Sequence, residues 1–333
     1  MKNILVTGGL GYIGAHTVVE LFNNGYKPII IDNLSNTNIE VLNRLEQICE
    51  HSFSFYNEDV CNTDALTNIL KTEAIHGIIH FAAFKAVGES VQAPIKYYKN
   101  NIGGMTSLLE AMQNQGINNL VFSSSCTVYG EPDHSPVNEL APIKRANSPY
   151  GRTKQMGEDI LMDCQGLNTV ALRYFNPIGA HASALIGELP IGVPNNLMPF
   201  ITQTAAGIRP SLTVFGNDYN TKDGTCIRDY IHVVDLAKAH VKALQFIAQN
   251  PNNHFEVFNI GTGNGYTVLE IIKAFETVNQ IQLPYQIGNR RAGDVEKVWA
   301  DAQKAETQLG WKAELGLNEM VQSAWQWQLQ LKA

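Results

Sequence analysis

The stretch Gly8-Gly9-Leu10-Gly11-Tyr12-Ile13-Gly14 constrains the fold more than any other. It follows a short apolar run, Asn3 to Thr7, of strand character, and it opens a helix-like segment from Ile13 to Asn24. Strand, glycine turn and helix in that order form the context of a dinucleotide-phosphate site. Gly8 permits the tight turn, Gly11 lets the backbone approach a pyrophosphate, and Gly14 lets the helix pack closely on the strand. The helix N-terminus then offers free N–H groups and a positive dipole end to the phosphates. The next apolar run, Lys27 to Ile31, ends in Asp32, 18 residues beyond Gly14. An acid is expected there, on the adenosine ribose hydroxyls. A carboxylate at that point repels a 2′-phosphate, so the expected cofactor is NAD and not NADP.

The alternation continues. Phe53 to Asn57 is strand-like and leads to Asp59-Val60, Asn62 to Lys71 is helical, and Gly77 to Phe81 is a buried strand followed by Ala82-Ala83-Phe84-Lys85. Pro94 to Gln115 reads as a long helix interrupted at Gly103-Gly104. Asn119 to Phe122 is a strand that delivers Ser123-Ser124-Ser125, a helix runs from Tyr150 to about Gln165, and Thr169 to Phe175 is another strand. This specifies an α/β, Rossmann-like fold with a doubly wound parallel sheet covered on both faces. Ligands of such sheets sit beyond the carboxyl ends of the strands. Gly8, Asp32, Asp59, Ala82, Ser125 and Phe175 all fall at or near those ends.

Past Asn176 the chain becomes rich in Pro, Gly and Asn, as in Leu189-Pro190-Ile191-Gly192-Val193-Pro194-Asn195-Asn196. That punctuation marks loops and a smaller C-terminal lobe that covers the substrate. Arg228 to Val233 reads as a strand returning toward the sheet, with Asp235 placed to cap the next helix. The expected division is a cofactor domain over residues 1–176, joined by parts of about 226–262, and a substrate lobe made mainly of 177–333.

Within the first domain, Tyr150 and Lys154 are four residues apart, one turn from each other on a helix face. Pro149 suits the first turn of that helix and Ser148 suits its cap. A tyrosine has an ordinary pKa of about 10. A lysine cation one turn away favours the phenolate, so the pair is expected to take a proton from a substrate hydroxyl near neutrality.

Composition removes other classes. The net charge of −7 argues against a nucleic-acid partner. The five cysteines are odd in number and have no CxxC pairing, so free thiols in a reducing compartment are expected rather than a metal site. The nine histidines show no metal spacing, and His181 and His232 are expected to be structural. No apolar run approaches the ~20 residues needed to span a bilayer. Met1 to Val6 runs straight into a strand pattern, with no leader in view. The expectation is a cytoplasmic protein with no membrane partner.

These motifs together resemble the extended short-chain dehydrogenase/reductase family and, within it, the UDP-hexose 4-epimerases. The resemblance covers essentially the whole chain. It rests on Thr7 to Gly14, Ile31 to Leu34, His80 to Ser90, Ser123 to Ser125, Tyr150 to Lys154, Arg173 to Pro177, Pro194 to Pro199 and Arg228 to His232. It implies that Tyr150 is proton acceptor and donor, that Lys154 tunes it and holds the nicotinamide ribose, and that Ser125 bonds the sugar 4-oxygen. It implies an NAD site built from Gly8, Gly11, Tyr12, Ile13, Gly14, Asp32, Asn33, Asp59, Val60, Phe81, Ala82, Lys85, Asn100, Lys154 and Phe175. For the UDP-sugar it implies Ser125, Tyr150, Asn176, Asn196, Leu197, Phe215, Arg228, Arg291 and Asp294. Arginine forks also suit a diphosphate on chemical grounds.

Simpler readings stand beside these: Asp59 as a cap for the helix from Asn62, and Arg291 as one of two solvated arginines with Arg290. Two rival functions remain, a 4,6-dehydratase and a silent NAD-sensing protein. A dehydratase of this family carries an Asp-Glu pair just after the position of Ser125, where this chain has Cys126-Thr127-Val128. The resemblance also implies a homodimer. Many such epimerases close the sugar pocket with a large aromatic. The match through Gly293 to Lys297 places Val298 there, with Trp299 one residue away, and a small wall leaves room for a 2-acetamido group.

Overall fold

The computed structural model describes residues 1–291 and 294–331, so of the motif residues quoted above only Gly293 lies outside it. The first half runs β1 (Asn3–Thr7), α1 (Tyr12–Asn23), β2 (Lys27–Ile31), α2 (Glu40–Cys49), β3 (Ser54–Tyr56), α3 (Thr63–Thr72), β4 (Gly77–His80), α4 (Val87–Gln92), α5 (Pro94–Tyr97), α6 (Gly103–Gln115), β5 (Asn119–Ser125), α7 (Pro149–Asp163) and β6 (Asn168–Tyr174). The second half runs β7 (Asn176–Ile178), α8 (Leu197–Ala205), β8 (Leu212–Phe215), β9 (Ile227–His232), α9 (Val233–Gln249), β10 (Phe255–Ile260), β11 (Gly265–Thr267), α10 (Val268–Asn279), β12 (Tyr285–Gly288), β13 (Lys297–Val298) and α11 (Leu317–Gln330).

Seven strands form one parallel sheet in the order β3-β2-β1-β4-β5-β6-β10. Alternate side chains of a strand point to opposite faces, and both faces here are covered. Ile4 and Val6 join one core with Val18, Val19 and Leu21 of α1. Leu5 between them joins the other, with Leu66 of α3 and Leu108 and Met112 of α6. The strand order reverses between β1 and β4, and a crevice opens at such a switch point. The smaller lobe has a second sheet, β11-β9-β13 with β7 paired to β9, and a β8–β12 pair. Its core gathers Ile201, Val214, Tyr230, Ile271, Phe275 and Val321.

Three expectations change. The strand at Ile227–His232 does not rejoin the large sheet. It pairs with β7, which leaves the end of β6 after a single residue, Phe175. The helix from Pro94 is broken by a π-helical turn, Tyr98–Ile102, before the glycines. Gly103-Gly104 are themselves helical, and a Cβ on Gly104 would lie 2.6 Å from the Val60 side chain, so Gly104 lets α6 press onto the β3–α3 connection. Asp235 does not cap α9. His232 Nδ1 accepts the Val234 N–H at the helix start, while Asp235 accepts the backbone N–H groups of Glu314 and Leu315.

Candidate active site

The glycine turn is built to exclude side chains. Gly8 has φ +67°, and a Cβ there would lie 2.9 Å from the Ala82 nitrogen at the tip of β4. A Cβ on Gly14 would lie 2.2 Å from the Gly8 carbonyl oxygen. That carbonyl accepts the Gly11 N–H at 3.0 Å. No side chain caps α1, whose N-cap is Gly11. The result is a bare backbone cradle at a helix N-terminus, which suits a pyrophosphate. Asp32 ends β2, accepting the Leu34 and Leu10 N–H groups at 2.9 and 3.2 Å, and burial raises its carboxyl from the ordinary value. The residues present therefore fit an NAD molecule.

The cradle opens on a cavity of about 660 Å³ that reaches into the smaller lobe. Every residue expected at the site lines it, except Asp59 and Val298. Asp59 sits behind the wall. Its two oxygens accept Asn33 Nδ2 at 2.9 Å and the Cys61 N–H at 2.8 Å, so it fixes Asn33, while Glu58 takes the lining position. Nor does it cap α3, because Asn62 does so. Val298 lines an adjoining cavity of about 470 Å³ with Asn195, Asn196 and Arg228. Its neighbour Trp299 lines neither cavity and packs on Gly265.

Ser125, Tyr150 and Lys154 meet midway. Ser148 caps α7 by accepting the Gly151 N–H at 3.1 Å, which starts the helix so that Tyr150 and Lys154 share one face. Lys154 Nζ donates to the Ser123 carbonyl at 2.5 Å and to Ser123 Oγ at 3.1 Å, and lies 5.9 Å from the centre of the Tyr150 ring. Ser125 Oγ accepts both the N–H and the hydroxyl of Thr127, at 3.2 and 3.0 Å. With those two acceptor positions filled, its own O–H is left to donate.

The titration of this pair differs from the sequence-based expectation. Burial pushes the Tyr150 phenol up to about 12, and its bond with Ser125 draws it partway back. Burial also pulls the Lys154 ammonium down to about 7, against the nearby Glu158 carboxylate. Burial disfavours both charged forms and weakens the Lys154 charge, and among the groups around Tyr150 it is Ser125 that draws the phenol partway down.

At the far end, Asp294 stands between two arginines, 2.8 Å from Arg291 and 3.9 Å from Arg228. Arg291 lies 5.7 Å from the centre of the Phe215 ring. Arg290 is turned away, paired with Asp218 and stacked at 4.0 Å on Tyr219.

Sequence reasoning missed Asn101. It lies in the π-helical turn, is buried, and uses all four positions of its amide. Oδ1 accepts the Phe84 N–H and Asn100 Nδ2, each at 2.9 Å, and Nδ2 donates to the Phe84 carbonyl and to Thr153 Oγ1, each at 3.0 Å. It thus joins the loop after β4, the cavity wall at Asn100 and the helix that carries Tyr150. Half of these bonds go to backbone atoms, which leave no sequence signal.

The GDP-mannose 4,6 dehydratase family model matches residues 5–324. A UDP-glucose 4-epimerase of Bacillus subtilis is 51% identical over 329 residues, covering 98% of this chain and 96% of its own. The chain belongs to the UDP-glucose 4-epimerase family. Two solved epimerases share the fold of this family member. The one from Stenotrophomonas maltophila, with bound NAD and formylated UDP-arabinopyranose, superposes with a TM-score of 0.97 at 47% identity, covering 100% of this chain and 99% of that one. The one from Bifidobacterium longum, in complex with NAD+ and UDP, gives 0.93 at 44% identity, covering 99% and 98%.

Proposed function

We propose that this chain interconverts UDP-galactose and UDP-glucose by transient oxidation at C4 of the sugar, with NAD as cofactor. One observation carries the reading: Ser125, Tyr150 and Lys154 stand in a single cavity between a phosphate cradle and the Arg228–Asp294–Arg291 cluster. When bound, NAD supplies the acceptor and donor of hydride at C4. Gly8, Gly11, Gly14 and Asp32 hold its phosphates and ribose. Tyr150, acting in its phenolate form, receives the proton of the 4-hydroxyl at Oη and gives it back to the same oxygen. The Ser125 hydroxyl donates to that oxygen or to Tyr150, steadying whichever carries charge. Lys154, fixed by Ser123, holds the nicotinamide ribose. Arg228 and Arg291 anchor the diphosphate, so the hexose presents either face while its handle stays in place.

The 4,6-dehydratase alternative finds no support beside Ser125. Elimination of water needs a proton donor there, and the neighbours are Thr127 and Cys126, whose thiol burial pushes up to about 11. Room for a 2-acetamido group rests on Val298 as a small cavity wall, so turnover of UDP-N-acetyl-hexoses belongs to the same reading. The cofactor domain is taken as residues 1–176 with parts of 226–262, supported by β10 pairing with β6. A cytoplasmic location is supported by five cysteines that are all free. No helix among the described residues is long and apolar enough to cross a membrane. The homodimer rests on the family resemblance. Incubating the protein with UDP-galactose and NAD tests the main reading: UDP-glucose is the expected product, and none would refute it.

A further inference from the structure

Lys85 was expected on the cofactor wall, yet its ammonium reaches toward the other lobe. It donates to Glu188 Oε1 at 3.1 Å, and Asn196 Nδ2 donates to the same oxygen at 2.6 Å. The Glu188 side chain is only 11% exposed. Its backbone is fixed to the smaller lobe: the Trp327 indole N–H on α11 donates to its carbonyl at 3.0 Å. The preceding Gly187 lies so close that a Cβ there would be 2.5 Å from the indole. Glu188 is therefore rigidly mounted on one lobe and grips a lysine from the other.

Two further ties cross nearby, from the Tyr12 hydroxyl to the Gly179 carbonyl at 2.7 Å and from Arg44 to the Leu185 carbonyl at 3.3 Å. Of the three, the Glu188 bridge joins residues that line the cavity on both sides, Lys85 and Asn196. The segment 188–196 runs along that cavity and contributes Val193, Asn195 and Asn196 to its wall. Glu188 also shares the adjoining cavity with Arg228 and Arg291. An unpaired carboxylate there would repel a diphosphate, and Lys85 neutralises it.

We propose that Glu188 is a positioning residue, a clamp that holds segment 188–196 over the cavity by bridging Lys85 and Asn196. By doing so it raises affinity for the UDP part of the substrate, and that part of the proposal rests on the function proposed above. Gln at 188 can still accept from Asn196 but loses the ion pair with Lys85.

The test uses the NAD-loaded protein as E188Q, K85M and the double variant. UDP dissociation constants are measured by calorimetry, and amide exchange of 188–196 is measured without UDP. Each single variant should weaken UDP binding about two- to fivefold, the range of a half-exposed ion pair. In E188Q the rise in KM should exceed the loss in kcat. The double variant should be no weaker than the weaker single, and exchange in 188–196 should speed up in every variant. Additive or absent effects on UDP binding, or unchanged exchange, would overturn the clamp. If the parent protein binds no UDP, the proposed function fails, and the exchange measurement alone decides the clamp.

Discussion

Replacing Lys154 by methionine should make the protein's stability depend differently on pH. Lys154 is 5% exposed, and burial draws its pKa from 10.5 to about 7. A folded-state value below the unfolded one means that folding penalises the charged form. The penalty is complete below about pH 7, shrinks as the pH climbs toward the ordinary lysine value, and is gone above it. At 1.36 kcal/mol per pH unit the full penalty is on the order of 4–5 kcal/mol. Lys154→Met removes it. The same change strips the Ser123 carbonyl and hydroxyl of a donor, which costs about 1–3 kcal/mol at every pH. The variant should therefore be the more stable protein at pH 6 and the less stable one at pH 10.5, with the sign changing near about pH 9. Denaturant unfolding of both proteins at matched pH measures this, and contributions that the substitution leaves untouched cancel in the difference. A difference that stays flat between pH 6 and 10.5 would refute the claim that Lys154 is held with a weakened charge.

The glycine cradle gives a second prediction. In Gly14→Ala the methyl falls 2.2 Å from a backbone oxygen that cannot step aside. A loss of at least about 1–3 kcal/mol is expected in thermal unfolding, together with release of bound NAD, read by absorbance. Val298→Tyr should fill the adjoining cavity and abolish turnover of UDP-N-acetylglucosamine while sparing UDP-galactose. Equal losses on both substrates would remove Val298 as the wall.

Where local pattern decides structure, the sequence was a good guide. The boundaries of β1 and β2, the start of β4 and the Ser148 cap follow from short apolar runs, glycine punctuation and capping chemistry. The candidate site was legible for the same reason: its residues sit at strand ends, and in a parallel sheet those ends converge. What escaped is set by tertiary contact. The pairing of β9 with β7 depends on where the chain goes after leaving the large sheet at the end of β6. The bridging carboxylate of Glu188 lies 103 residues from Lys85. The titration of Tyr150 and Lys154 went against expectation because spacing reveals that two groups are neighbours, whereas desolvation depends on everything packed around them.

The central claim, that Tyr150 moves the proton of the 4-hydroxyl, is tested most directly by the rate of UDP-galactose conversion to UDP-glucose in Tyr150→Phe. The variant keeps the ring and loses the hydroxyl. Conversion should fall by about 10²–10⁴-fold while UDP still binds at the arginine end. A variant that converts UDP-galactose at the parent rate would contradict the account.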